Sequence, residues 1–327
     1  MSRETEKLLK LLEKELDKHD FQTDEELQSF LDVMNREGFE KLGLSTDSVD
    51  EAFEEYEIGC DLMDSDDPKD IKEALKHLQK AIELDPPFVD AQAEMLEAER
   101  EVAVYIRKLR ELEEAAEDIC LKDGEVEHED VFGHAWRTIE MRPFLRIKKR
   151  LADAYLDQGM FRLAQEKYED ILAWNDNDNQ GCRYLLIGIY AYFEEKEKAM
   201  ELYDHYEQEQ NAWSLISLAA LHHKVGESEA SLRYLKQLTK QIPESATFIA
   251  NAILDLGLNE DFEPQYPGSY RPGTGEEMAL AMDQLDFLLT SSRAFFMDLV
   301  SHCIEEYEKK AKKPRTAGKA KAKPKQK

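Results

Sequence analysis

A helical pattern that repeats every 34 residues or so, between residues 143 and 239, constrains this chain more than any other feature. The small residues Ala164, Ala199 and Ser231 recur at one place in the pattern, 35 and 32 residues apart. Each lies in the second of two apolar patterns with helical spacing, which a short turn separates. Units of this kind bury their apolar faces by stacking on their neighbours. The sequence therefore predicts an all-α repeat protein.

The residues of these units resemble the helix-contact, turn and small positions of the tetratricopeptide repeat. They are Leu151, Ala152, Tyr155, Gly159, Ala164, Tyr168 and Ile171 in the first unit, Leu186, Tyr190, Ala199, Tyr203 and Tyr206 in the second, and Leu218, Ala219, Gly226, Ser231 and Leu235 in the third. The stretches RPFLRIKKRLADAYLDQGMFRLAQEKYEDIL and NDNDNQGCRYLLIGIYAYFEEKEKAMELY, and the later GSYRPGTGEEMALAMDQL, carry the resemblance further. They are similar to a group of uncharacterised bacterial tetratricopeptide repeat proteins, whose repeat region resembles that of the suppressor of tumorigenicity protein 7 family.

That resemblance implies a fold and a general role. The fold is a tetratricopeptide-like α-α superhelix, or solenoid, with a helical N-terminal extension and a C-terminal helical cap. The implied role is that of a scaffold, with no established reaction. Some bacterial relatives end in a cysteine-rich zinc tail, but only Cys303 lies near the end of this sequence, so no such metal site is implied.

The sequence divides into five predicted segments. Residues 1–46 are a helical extension, and residues 47–141 hold a degenerate repeat-like helical pair followed by one long helix over Phe88–Leu121. Residues 142–260 are the repeat core, 261–308 a surface loop with a pair of capping helices, and 309–327 a disordered lysine-rich tail.

Charge separates the tail from the rest of the chain. Residues 309–327 carry ten basic residues and no acid, so the preceding residues hold 33 basic against 71 acidic residues. An acidic body repels phosphate backbones, so any nucleic-acid contact is expected from the tail alone. The sequence lacks a long apolar run and a basic, apolar leader, and its four cysteines form no CxxC pair. These features favour a cytoplasmic protein with reduced thiols that does not enter a membrane.

Catalytic and cofactor motifs are missing, which favours a non-enzymatic protein without a cofactor. The sequence contains no GxxxxGK[ST], GxGxxG or GxSxG pattern. Asp176, Asp178, Gln180 and Gly181 match the first half of a calcium loop, but Ile187 stands where a bidentate glutamate is needed. A polar turn between repeats is the preferred interpretation of that stretch.

A second polar stretch carries side chains of the types that bind metal ions. It holds Glu127, His128, Glu129, Asp130 and His134. Because it has neither HExxH spacing nor a cysteine partner, we interpret it as a polar surface loop and predict no metal site.

The repeat register predicts which side chains line a binding groove. In a tetratricopeptide stack the second, fifth, ninth, twelfth and thirteenth positions of each first helix point into the concave face. Those positions, called the groove positions below, are occupied by Arg146, Lys149, Asp153, Asp157, Tyr184, Tyr192, Trp213, His223 and Lys224. Aromatic residues mixed with cations are typical of binding hot spots.

Two of these features have plainer interpretations. The rings of Tyr184, Tyr192 and Trp213 could instead pack between repeats. The basic cluster of residues 142–150 could pair with acidic neighbours such as Asp153 and Glu166. A clamp for an acidic C-terminus resembles this arrangement through Lys149, but such clamps use asparagine where this chain has Asp153.

Two functional hypotheses follow. In the first, the protein is a scaffold or adaptor that holds a protein or peptide partner in the groove. In the second, the basic tail tethers the protein to nucleic acid or to the ribosome. The repeats are the more specific signal, so the first hypothesis is preferred.

Overall fold

A computed structural model describes residues 23–37, 48–65, 67–254 and 269–312, together with residues 5, 6, 9, 12, 16, 19, 21 and 262. These residues are helical or lie in turns, with one isolated bridge between His134 and Asn175 and no strand among them. The chain divides into two compact units, Met1–Gln180 and Gly181–Lys327. The division falls inside the stretch 142–260 that the sequence predicts as one repeat core.

The first unit is built from helices that pack on their neighbours in sequence. They are α1 (Asp24–Glu37), α2 (Ser48–Met63), α3 (Pro68–Leu84), α4 (Val89–Leu96), α5 (Val102–Asp123), α6 (His128–Val131), α7 (Arg142–Asp157) and α8 (Phe161–Trp174), with two 3₁₀ turns at Ala135–Arg137 and Ile139–Met141. Side-chain oxygens cap two of these helices at their N-termini. Thr23 Oγ1 accepts from the Glu26 amide at 3.2 Å, and Asp67 Oδ1 accepts from the Lys69 amide at 2.9 Å.

The second unit continues in the same manner. Its helices are α9 (Cys182–Phe193), α10 (Lys196–His205), α11 (Ala212–Lys224), α12 (Ser228–Gln241), α13 (Ser245–Ile253), α14 (Gly275–Gln284), α15 (Asp286–Ser291) and α16 (Arg293–Lys312). Helices α9 and α11 pack on one another, and α14 and α15 pack on them. Helix α16 packs on α12 and α13.

Three helix pairs close with one and the same turn. The pairs are α7–α8, α9–α10 and α11–α12, and the turn residue is left-handed in each, with φ of +68° at Gly159, 62° at Glu194 and +80° at Gly226. The amide after each turn residue bonds the carbonyl five residues back, at 2.8, 2.9 and 2.7 Å. This is the Schellman closure of a helix C-terminus. The spacing of the turns, 35 and 32 residues, matches the period of the sequence pattern.

Each hairpin buries the small residue that marks its unit. Ala164 and Ala199 are fully buried and Ser231 is nearly so. A larger side chain there would separate the two helices of the pair, so the small residues keep the paired helices close. Side-chain size is limited in the same way at Gly59 of α2, since an added Cβ would lie 2.7 Å from Leu78 of α3.

The core of the first unit gathers around the start of α7 and the end of α8. Phe144, Leu145, Ile147 and Trp174 pack there with Leu112 of α5. A smaller cluster, Tyr56, Leu78, Ala81 and Ala91, joins α2, α3 and α4.

The predicted long helix over Phe88–Leu121 is wrong, because the chain breaks into α4 and α5. Neither proline nor glycine marks the break. Carboxylates in the break are satisfied by the next helix instead: Glu97 accepts from the Tyr105 hydroxyl at 2.7 Å and Glu99 from the Lys108 ammonium at 2.9 Å. Polar side chains make these contacts, so the spacing of apolar residues in the sequence does not reveal the break.

The predicted C-terminal segments also need correction. The capping pair is a set of three helices, α14, α15 and α16. Helix α16 ends at Lys312, so the first four residues of the predicted tail are helical. The rest of the tail, residues 263–268 of the predicted surface loop, and most of residues 1–22 and all of 38–46 in the predicted N-terminal extension lie outside the described residues.

Candidate functional site: the repeat face of each unit

Arg146, a groove position of the first unit, is held inside that unit by its own acidic residues. Its guanidinium donates two bonds to the Asp90 carboxylate, at 2.9 and 2.6 Å, and a third to Glu6 at 2.9 Å. The Arg146 side chain is 18% exposed. Arg146 is therefore not open to a partner while Asp90 and Glu6 stay in place.

The rest of the basic cluster is paired as well. Arg142 binds Glu6, Lys148 binds Glu113 and Asp170, Lys149 binds Asp153, and Arg150 binds Glu94 and Glu97. The plainer interpretation of this cluster therefore holds, although most partners are not the ones the sequence suggests.

Two helices run parallel along this ladder of ion pairs. Asp90 and Glu94 of α4 are four residues apart, as are their partners Arg146 and Arg150 of α7. Four residues is close to one helical turn, so each turn of α4 places one acid opposite one arginine. The acidic face of α4 thus covers the basic face of α7.

Lys148 is the most enclosed cation of the cluster. Its ammonium lies 3.0 Å from Glu113 and 4.8 Å from the centre of the Phe144 ring. Burial acts to raise the pKa of Glu113, but hydrogen bonds and charge from Lys167 and Lys148 outweigh it and leave that pKa below its usual range. This network of ion pairs connects α5, α7 and α8, so its role is structural.

Lys149, Asp153 and Asp157 are the more accessible groove positions of this unit. The Lys149 ammonium lies 2.7 Å from Asp153, whose other oxygen accepts from the Tyr168 hydroxyl at 2.6 Å. Asp157 is exposed at the end of α7. Partial burial and the Asp153 charge raise the pKa of Asp157. These side chains form a mainly acidic patch.

Trp213, a groove position of the second unit, lies in the core. It is 1% exposed, and its indole Nε1 donates to the Gln284 side chain at 2.9 Å. The rings of Tyr184 and Tyr270 lie on it, with centroids 5.1 and 5.2 Å away. The packing alternative is therefore correct for Trp213, and the expectation that it meets a partner directly is wrong for this conformation.

Two other groove positions of the second unit contact its C-terminal helices. Tyr192 contacts the Phe287 ring of α15, and His223 contacts Phe295 and Asp298 of α16. Gly188 occupies the ninth position, where an added Cβ would lie 2.5 Å from Leu285. Segments within residues 285–298 therefore contact Tyr192, His223 and Gly188 of this unit.

Lys224 closes the C-terminus of α9. Its ammonium donates to the carbonyl oxygens of Ala191 and Tyr192 and lies 5.4 Å from the centre of the Tyr192 ring. Burial lowers the pKa of Lys224. A lysine in this position stabilises the negative end of the α9 dipole, so its role is structural.

A half-exposed cluster remains at the edge of this face. The Arg183 guanidinium lies between two tyrosine rings, 4.2 Å from the centroid of Tyr184 and 4.9 Å from that of Tyr206. It also pairs with Glu209 at 2.9 Å, and Glu209 accepts from the Tyr184 hydroxyl at 3.1 Å. We call Arg183, Tyr184, Tyr206 and Glu209 the tyrosine–arginine rim. A shallow depression runs along it to Tyr203 and Ser214.

Two buried glutamates hold residues 270–273, the segment that packs over Trp213. Glu277 accepts from the amides of Gly273 and Ala212, both at 2.7 Å, and so ties that segment to the start of α11. Glu276 accepts from the Arg271 amide and guanidinium, both at 2.9 Å. These bonds place Tyr270 over Trp213. Tyr270, Glu276 and Glu277 belong to GSYRPGTGEEMALAMDQL, the last of the three stretches that carry the resemblance.

The remaining candidate sites show no ligand geometry. Within the described residues, no three His, Cys, Asp or Glu side chains converge in the manner of a metal site. His128 stacks on Phe132 and meets Trp174 edge-on. The described helices include none with the length and apolar character required to span a bilayer.

Comparison of the chain with protein-family models and with curated proteins gives no match. The resemblance to tetratricopeptide repeat proteins therefore rests on the residues of the repeats themselves.

Sequence reasoning missed the residues that cover the repeat face, namely Glu6, Asp90, Glu94, Tyr270 and Gln284. One signal could have pointed to α4: its acids at 90 and 94 share their spacing with the arginines at 146 and 150. No comparable spacing marks Tyr270 or Gln284.

Proposed function

We propose that this protein is a non-enzymatic tetratricopeptide-like scaffold that binds a protein partner. The observation that carries the proposal is the recurrence of one closure in three helix pairs, with left-handed residues at Gly159, Glu194 and Gly226 and the same hydrogen bond after each. Regular helix pairs of this kind form extended faces that recognise peptides and other proteins. The proposal includes the solenoid arrangement and a cytoplasmic location.

The partner is expected at the tyrosine–arginine rim of the second unit. Tyrosine and arginine are the residue types most enriched at binding hot spots. Here two tyrosine rings and a guanidinium form a pre-ordered surface, so little side-chain entropy is lost when a partner binds. Trp213 supports the rim from beneath through its contact with Tyr184.

A pair of arginine variants tests this proposal. Arg183 and Arg233 each lie beside a tyrosine ring, but Arg233 is an exposed residue on α12 and lies outside the rim. Partners captured by the full chain from a cell extract are identified, and their affinity is measured with purified protein. Arg183→Ala together with Tyr206→Ala should weaken binding roughly ten-fold or more, and Arg233→Ala should leave it unchanged.

Stability serves as the control for that experiment. The Arg183–Glu209 pair is partly exposed and contributes little to folding. The variants should therefore unfold within a few degrees of the parent chain. Equal affinity for the parent and the rim variants would place the binding surface elsewhere.

A second candidate function rests on the tail. Ten basic residues without an acid over 309–327 are suited to nucleic acid. Removing residues 313–327, which follow the end of α16, should abolish RNA or DNA binding and its steep salt dependence. Retention of that binding by the truncated chain would exclude this candidate.

A further inference from the structure

Two arginines of the first unit converge on one carboxylate that comes from far away in the sequence. Arg142 Nη1 lies 3.1 Å from Glu6 Oε1, and Arg146 Nη1 lies 2.9 Å from Glu6 Oε2. Each carboxylate oxygen therefore receives one guanidinium. The three side chains are 7%, 18% and 8% exposed.

Both arginines are fixed by groups other than Glu6. Arg146 is held by its two bonds to Asp90. Arg142 donates from Nε to the Trp136 carbonyl at 2.9 Å and lies 5.4 Å from the centre of the Trp136 ring. The pair is thus a pre-ordered receptor, because its geometry is set by α4, α7 and the 3₁₀ turn at 135–137.

The charge balance of this place requires an anion. Asp90 neutralises one of the two cations, and the Glu6 carboxylate neutralises the other. A second buried guanidinium without an anion would be strongly unfavourable. Glu6 accepts one charge-assisted hydrogen bond from each guanidinium, and such bonds are stronger than those between neutral groups.

We propose that Arg142 and Arg146 form a carboxylate-binding site that Glu6 fills within the chain, and that an acidic helical segment of a partner protein competes with Glu6 for it. Residues 5 and 6 are themselves helical, so the occupant presents its carboxylate from a helix. The site lies in the first unit and is independent of the tyrosine–arginine rim of the second unit.

The site differs from the clamp that the repeat register suggests. That clamp would use Lys149 together with an asparagine, but this chain has Asp153 at the second position and Lys149 pairs with it. The arginines at 142 and 146 take over the role, one helical turn earlier on α7. The anion that they bind is a side-chain carboxylate in this structure.

The test uses the full chain with Glu6→Ala and a labelled peptide of residues 2–19 as the probe. Fluorescence anisotropy should show that the peptide binds the Glu6→Ala chain at least ten-fold more tightly than the parent chain, whose site is filled. A peptide in which Glu6 is replaced by glutamine should bind the Glu6→Ala chain at least ten-fold more weakly. Equal binding of the two peptides, or no binding of either, would overturn the proposal.

Chemical rescue supplies a second readout. Sodium acetate should raise the unfolding temperature of the Glu6→Ala chain above that in sodium chloride of equal ionic strength. Glu97→Ala, which removes a more exposed partner of Arg150, should show no such difference. If Glu6→Ala does not fold, Glu6→Gln keeps the side-chain volume and takes its place in both measurements. Equal effects of acetate and chloride would mean that Glu6 is a structural ion-pair partner only.

Discussion

At the scale of single residues, the turns between paired helices follow from local chemistry. The sequence predicts a turn at Gly159 and at Gly226 because glycine adopts left-handed backbone without strain. It gives no such signal at Glu194, where a non-glycine residue has φ of 62°. The same turn geometry therefore recurs even where the residue type does not predict it.

Replacing Glu194 by glycine should stabilise the second unit. A left-handed conformation costs a non-glycine residue roughly 1–2 kcal/mol, and the greater freedom of glycine in the unfolded chain offsets about half of that gain. The expected net increase in the free energy of unfolding is about 0.5–1 kcal/mol, measured by urea denaturation. Glu195→Gly, at a neighbouring residue with φ of −82°, should destabilise instead. A loss of stability in Glu194→Gly would contradict the equivalence of the turns.

His302 gives a pH dependence of defined sign. It is a buried residue of α16 whose Nε2 lies 3.2 Å from Thr239 Oγ1. Burial lowers the pKa of His302. Glu306 and Glu305 raise it and Lys309 lowers it, and the resulting pKa lies below 6.5. The unfolded chain therefore binds more protons than the folded chain just below pH 6.5, and stability is lost as pH falls through this window.

His302→Gln should remove that dependence while keeping a hydrogen-bonding group. Free energies of unfolding measured between pH 5.5 and 7.5 should fall with decreasing pH in the parent chain and stay flatter in the variant. Identical slopes in the two proteins would show that another group titrates in this range.

At the scale of helices, periodic patterns predict the helix pairs well. They predict poorly which distant segments of the chain pack over those pairs. The pairs α2–α3, α7–α8 and α11–α12 follow from the spacing of their apolar residues. The break between α4 and α5 depends on contacts of Glu97 and Glu99 with the following helix, which no periodicity reveals. The groove positions show the same limit, because the repeat register does not indicate which segments of the chain contact them.

Removing the Glu113 charge tests the ion-pair network that connects α5, α7 and α8. Glu113→Gln leaves Asp170 as the remaining acid beside the buried Lys148 and takes the acidic partner from Lys167, so we expect a loss of roughly 3 kcal/mol in the free energy of unfolding. Glu111→Gln on the same helix changes an exposed pair with Arg107 and should cost less than about 0.5 kcal/mol. Similar small losses in both variants, measured by urea unfolding, would show that the network contributes little.

At the scale of the whole molecule, the sequence predicts an all-α repeat protein, and the described residues are helical throughout both units. In the second unit residues 270–298 cover part of the repeat face predicted to be open. In the first unit α4 and Glu6 cover Arg146, whereas Lys149, Asp153 and Asp157 stay more accessible. Sequence patterns locate surfaces that must be buried, because apolar and aromatic side chains mark them. They do not distinguish burial against a partner from burial within the chain.

Solvent access to Trp213 tests this account most directly. The chain has three tryptophans, so Trp136→Phe with Trp174→Phe leaves Trp213 as the sole emitter. Acrylamide should quench its fluorescence in the native chain several-fold less than in the urea-unfolded chain, and Tyr270→Ala should raise the native value. Native quenching as strong as that of the unfolded chain would show an open groove at Trp213 and contradict coverage by residues 270–298.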